Sequence, residues 1–147
     1  MTKEPIIKLF TDLFNGSPWI DVNIMDTLNV ITAEKAAIKI SGRNSIWEIV
    51  NHIINWRLNI LQRLQGNVLN TPANNYFEPV TDQSETAWQA TLQRLMAAHV
   101  QWIEFLKKTG PASFYKYPPK NITSYEYIHG ILQHDAYHLG QIVLLSK

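Results

Sequence analysis

His134 and His138 stand four residues apart in a stretch without proline, Ile122–Lys147. On a helix that spacing stacks the two side chains on one face, with Cβ atoms about 5–6 Å apart. Both imidazoles then reach one ion at the roughly 2.0–2.1 Å metal–nitrogen distance. Spacing alone is a weak sign, because five histidines placed at random in this length give such a pair in about one sequence in eight. The neighbours strengthen it. At about 100° per residue the same face carries Tyr127, Ile131, Gln141, Ile142 and Leu145, so the pair looks inward. Two imidazoles buried there without a metal each have a polar nitrogen to satisfy, at about 1–3 kcal/mol apiece if unpaired.

A site needs a third ligand, and His52 is the natural one. It sits in SIWEIVNHIINW at the edge of that segment's apolar face, beside Glu48, Asn55, Trp56 and Asn59. A polar strip next to a histidine suggests a pocket mouth; a surface-edge histidine with incidental neighbours is the plainer alternative. Trp56, Asn55 and Asn59 are the candidates for contacting a bound small molecule. Glu48 and Asp135 are the candidate general bases. Asp135, on the flank of the histidine face, could also orient a ligand imidazole or remain a solvated charge. His99 falls on an apolar seam, where a hydrogen-bonded core histidine is the favoured reading over a ligand. His129 points roughly 180° away from the pair and receives no role.

The elements that must position these residues are marked by proline, glycine and caps. Asn44–Gln65 and Val80–Thr109 lack both proline and glycine. Each long stretch opens on an oxygen side chain three residues before a glutamate: Ser45 and Glu48, Asp82 and Glu85, Thr123 and Glu126. Gly66 closes the first, and Lys107-Lys108-Thr109-Gly110-Pro111 closes the second. Residues 88, 92, 95, 99, 102 and 106 read Trp, Leu, Leu, His, Trp, Leu, a bundle seam. An earlier helix is expected from about Pro18 to Val30, with Thr32 beginning a short turn after it. Ile6–Phe14 reads as a brief helical lead-in. The expectation is an all-α, single-domain, up-down four-helix bundle with long loops over Asn67–Thr81 and Gly110–Asn121. The tryptophans are expected in the core, with Trp56 the exception. Gly130 and Gly140 suggest a close backbone approach, and the nearly uncharged last helix suggests burial on both sides, by the N-terminal segment or a second subunit.

Composition narrows the function. The chain has 147 residues, 13 Lys+Arg against 12 Asp+Glu, 46% hydrophobic residues and no cysteine. A net charge of +1 gives no electrostatic reason to expect nucleic acid or an acidic membrane as partner. Thiolate metal sites and cysteine nucleophiles are excluded. The start has no apolar core of the signal-peptide kind and no run approaches a span of about 18 residues, so a cytoplasmic protein is expected.

HDAYHLGQI (His134–Ile142) together with SIWEIVNHI (Ser45–Ile53) resembles the DinB-like (YfiT-like) superfamily of metal-binding four-helix bundles. GSPWIDVNIMDTL looks like that family's first helix. The resemblance implies a zinc or nickel ion held by His52, His134 and His138 with water in the open positions. It also implies an external low-molecular-weight thiol in transferases and isomerases, water in hydrolases, and a homodimer. Asn44 stands where family members often have tryptophan, which bears on the packing of that helix start. Two functions follow: a metal-dependent thiol transferase or hydrolase acting on a small molecule, or a non-catalytic dimeric binding or stress-response module with a structural metal or none. A fourth protein ligand, for which His99 is the candidate, would favour the second.

Overall fold

The computed structural model describes residues 2–116 and 121–147; residues 117–120 of the expected second loop lie outside the described residues. All regular structure among the described residues is helical: α1 (Glu4–Asn15), α2 (Ile24–Leu28), α3 (Ala33–Ala37), α4 (Ile46–Leu64), α5 (Glu85–Lys108) and α6 (Ser124–Ser146), with a 3-10 turn at Pro111–Tyr115. None of these helices is long and apolar enough to cross a membrane.

Two of the three expected capping boxes form. Ser45 and Thr123 each accept from the amide three residues on, while Glu48 and Glu126 reach back to the cap's own amide. At the third, the nearer oxygen wins. Ser84 caps α5, and Asp82 accepts from the Ser84 amide in a preceding turn. Glu85 is thereby free to accept from the Ala33 amide, an otherwise orphaned donor at the start of α3.

The first forty residues depart more from expectation. The helix from Pro18 to Val30 does not form. Pro18–Asp21 is a turn with Asp21 at a φ of 61°, and Asn23, bonded through its side chain to the Asp26 amide, starts only the single-turn α2. Thr32 caps the short α3 as expected. The supposed lead-in is the fourth bundle helix, because Ile6, Phe10, Leu13 and Phe14 recur at helical spacing and are all buried.

Helix α4 packs on α5 and α6, and α1 packs on the same two, so the four long helices close a ring. The core has two apolar clusters. One holds Leu13 and Phe14 of α1, Ile46–Ile54 of α4, Trp88–Leu95 of α5, and Leu139 and Ile142 of α6. The other holds Ile6 and Phe10, Ile60 and Leu61, Trp102 and Leu106, and Tyr127–Ile131. Following each helix from one cluster to the other gives directions up, down, down, up for α1, α4, α5 and α6. The step from α4 to α5 therefore departs from strict alternation. The chain between them must return along the bundle, and that return passes over the candidate site.

Two other expectations change. Trp19 is 99% exposed in the turn before α2, whereas Trp47, Trp88 and Trp102 are core. A Cβ at Gly130 or Gly140 would meet nothing within 4 Å, so no neighbouring backbone among the described residues approaches them. Within the single chain the N-terminal segment leaves an outward stripe of α6 uncovered, formed by Gln133, Tyr137, Gly140 and Leu144.

Candidate metal centre

The return loop is held along one stripe of α4. His52 Nδ1 donates to the Asn75 carbonyl at 2.6 Å and Trp56 Nε1 to Asn75 Oδ1 at 3.0 Å. Further along, Asn59 Nδ2 donates to the Tyr76 hydroxyl and Arg63 Nη2 to the Leu69 carbonyl. Positions 52, 56, 59 and 63 are the successive residues of one helical face. Asn75 and Tyr76 carry positive φ values of 51° and 63°, a left-handed pair that turns Phe77 back onto the His52 ring, stacked at 3.9 Å.

His52, His134 and His138 meet beneath this loop, with a nitrogen from each lying within 4.8 Å of the other two. Every Nδ1 faces an acceptor. His52 uses the Asn75 carbonyl, His134 uses Asp135 Oδ1 at 3.1 Å, and His138 uses Gln141 Oε1 at 2.7 Å. A proton on each Nδ1 leaves the Nε2 lone pairs for the centre. Two of them, on His52 and His134, lie only 2.9 Å apart. Lone pairs that close repel unless a proton or a metal ion lies between them. This donor set suits a divalent cation, and the second-row hydrogen bonds are of the kind that fix ligand tautomers. Burial pushes His52 down to about 4, with the other two imidazoles adding to the fall, and burial also lowers His138. Neutral imidazoles are what a metal requires.

Behind the histidines lies a buried polar layer between the two apolar clusters. Arg57 and Asp135, both 0% exposed, pair through Nε and Oδ2 at 2.6 Å. Arg57 Nη1 lies 3.3 Å from His99 Nδ1, its guanidinium sits over the Phe14 ring, and Phe14 stacks on His99 at 3.9 Å. Arg57 Nη2 has no hydrogen-bond partner among the described residues. His99 is thus a core histidine, outside the three-histidine group, and burial and then Arg57 hold it down at about 4.

The other candidates are placed as follows. Asp135 supports His134 from below and does not line the cavity. Glu48 has both oxygens engaged, one by the Ser45 amide and one by Lys39. Burial would raise its pKa, but those bonds outweigh it and hold the carboxyl below its usual range. Trp56 lines the cavity; Asn55 and Asn59 do not, Asn59 being buried against the loop. His129 rests against Tyr125, away from the group.

Above the histidines opens a cavity of about 790 Å³ between α4, α6, the return loop and residues 42–44. That lies within the usual range for small-molecule sites. Its walls include Asn75, Phe77, Tyr137 and Arg43, none of which was singled out in the sequence. The only signal for the first two was the turn-forming Pro72-Ala-Asn-Asn.

A family model described as the DinB superfamily matches residues 23–142. The chain belongs to the DinB superfamily. No curated protein and no solved structure matches it. DinB membership and the three-histidine geometry agree on a site able to hold a divalent metal. In this DinB chain both ligand-bearing helices start at a formed capping box, which fixes where along each helix the histidines fall.

Proposed function

We propose that this DinB-superfamily chain is a metal-dependent enzyme that binds one zinc or nickel ion through His52, His134 and His138 and uses it in the transfer of a low-molecular-weight thiol. The observation that carries this is the convergence of three oriented imidazoles under an open cavity, with no fourth ligand among the described residues. Structural zinc is usually closed by four protein ligands; catalytic zinc keeps an open position. A bound divalent ion would supply the Lewis acidity that lowers the pKa of a thiol or water to near neutrality.

The chain's residues do the rest. Asn75, Asp135 and Gln141 hold the protons at the three Nδ1 atoms, so the ligating lone pairs need no reorganisation. Phe77 and Trp56 shield the His52 side of the site from water. Thiol chemistry is favoured over hydrolysis by the lining itself: no carboxylate lines the cavity, and Glu48 and Asp135 are engaged elsewhere. A water nucleophile benefits from such a base, whereas a thiol, with a pKa of about 8.5, ionises more readily.

The test is elemental mass spectrometry on untagged protein. About one zinc or nickel per chain is expected in wild type and in His99→Ala, and none in His138→Ala, with helical circular dichroism retained. Absence of metal from wild type, even after incubation with zinc or nickel, would sink the reading. Metal loss in His99→Ala would move it toward a closed structural site.

A further inference from the structure

Beyond the histidine Nε2 atoms and the Asn44 amide, the hydrogen-bonding capacity of the cavity wall is one-sided. Its acceptors are engaged: the Asn75 carbonyl by His52, Asn75 Oδ1 by Trp56, and Gln141 Oε1 by His138. Its donors are not. The Tyr137 hydroxyl accepts from Gln141 Nε2 at 3.3 Å, which leaves its own proton to give. Asn75 Nδ2 and the Arg43 guanidinium have no acceptor among the described residues.

Charge points the same way. The segment between α3 and α4 brings two cations near the site, and they behave differently. Lys39 is paired with Glu48 at 2.7 Å. Arg43 follows a turn in which Gly42 takes a φ of 72° and the Arg43 amide closes onto the Ile40 carbonyl; it lines the cavity without a carboxylate partner among the described residues. No Asp or Glu lines the cavity to oppose it. Apart from Asn44 and the three histidines, the remaining side chains of the wall are apolar or aromatic, from Ile49, Trp56, Phe77, Leu144 and Leu145.

We propose that the small molecule this cavity takes is an anion with an apolar body, of the aryl- or alkyl-carboxylate class, its carboxylate held at the rim by Arg43 with the Tyr137 hydroxyl and its body against Trp56, Phe77 and the leucines. A guanidinium fits this role because its planar fork matches a carboxylate, whereas a neutral isostere cannot use it. The inference rests on the proposed metal site only in placing the ligand's apolar end toward the histidines; the rim contacts exist without the ion.

The experiment is calorimetric titration of chelator-treated and zinc-incubated protein with 4-phenylbutyrate and, separately, its neutral amide. In metal-free wild type the carboxylate is expected to bind about 5–10-fold tighter than the amide. Arg43→Gln should abolish that difference while leaving amide affinity and helical content unchanged. Equal affinities in wild type, a preference that survives Arg43→Gln, or no binding of either probe would each overturn the proposal. Should the protein take up no zinc yet show the Arg43-dependent preference, the metal reading fails and this one stands. Should zinc bind while acid and amide are indistinguishable, the reverse holds.

Discussion

Arg57→Ala will destabilise the metal-free protein by about 3–5 kcal/mol, the cost of leaving a buried charge without its partner. Asp135 is 0% exposed and receives Arg57 Nε at 2.6 Å, so the truncation strands a carboxylate between two apolar clusters. It also removes the cation over Phe14 and opens a void beside His99. The paired replacement Arg57→Met with Asp135→Leu removes both charges and should recover most of that stability. Recovery of stability must not bring recovery of the site. His134 Nδ1 then has no carboxylate acceptor, and metal affinity should remain about 10–100-fold below wild type. Urea denaturation at pH 7.5 with chelator, and metal titration of the same variants, separate the two effects. A single-variant loss below about 1 kcal/mol would mean that the polar layer is hydrated and the pair contributes little.

Acid will begin to destabilise the metal-free chain above the pH range in which its carboxylates titrate. His52 and His99 sit at about 4 in the folded chain against an ordinary 6.5, and His138 is also lowered. Burial is the main cause for all three. A folded-state pKa below the unfolded value means that the unfolded chain binds the proton first. Stability is therefore level above about pH 6.5 and falls as pH drops toward about 4, by up to about 1.4 kcal/mol per pH unit for each such histidine. Below about pH 4 the folded chain takes up these protons too, and this contribution to the slope ends. Urea midpoints at half-unit pH intervals should trace that window, with a loss of several kcal/mol across it. His99→Phe keeps an aromatic ring against Phe14 and should flatten the slope by its own share. An unchanged slope in that variant would show that His99 is already protonated in the folded chain.

The ligand helices were readable from the sequence because their signals are local. Capping boxes form at Ser45 and Thr123 although Asn44 and Ser124 stand beside them, because each is the residue three before a glutamate. The i,i+4 histidines needed only helical geometry to share a face. At Asp82 and Ser84 two oxygen side chains competed for one cap, and the sequence offers no way to rank them without the Ala33 amide that claims Glu85. The segment 18–30 failed for a related reason: Asn23 is a strong local cap, and a Pro at an expected first turn carries no information about where the helix ends. What stayed hidden was long-range. Nothing near His52 shows that Asn75, 23 positions later, will orient its ring. Arg57 reads as one more polar residue until Asp135, 78 positions away, is seen beside it. The polar strip taken for a pocket mouth is partly the seat of the return loop, because same-direction packing of α4 and α5 requires a connector along the outside.

His52 and His134 are 82 positions apart, yet their Nε2 atoms stand 2.9 Å from each other. An ion shared between them would act as a removable staple, pinning the second long helix of the bundle to the last and enclosing most of the intervening chain. Its contribution would follow mass action, growing as RT ln(1 + [metal]/Kd), about 2.7 kcal/mol at a hundredfold excess over Kd. The melting temperature of this chain would then climb with the logarithm of free metal, making thermal stability a gauge of metal supply.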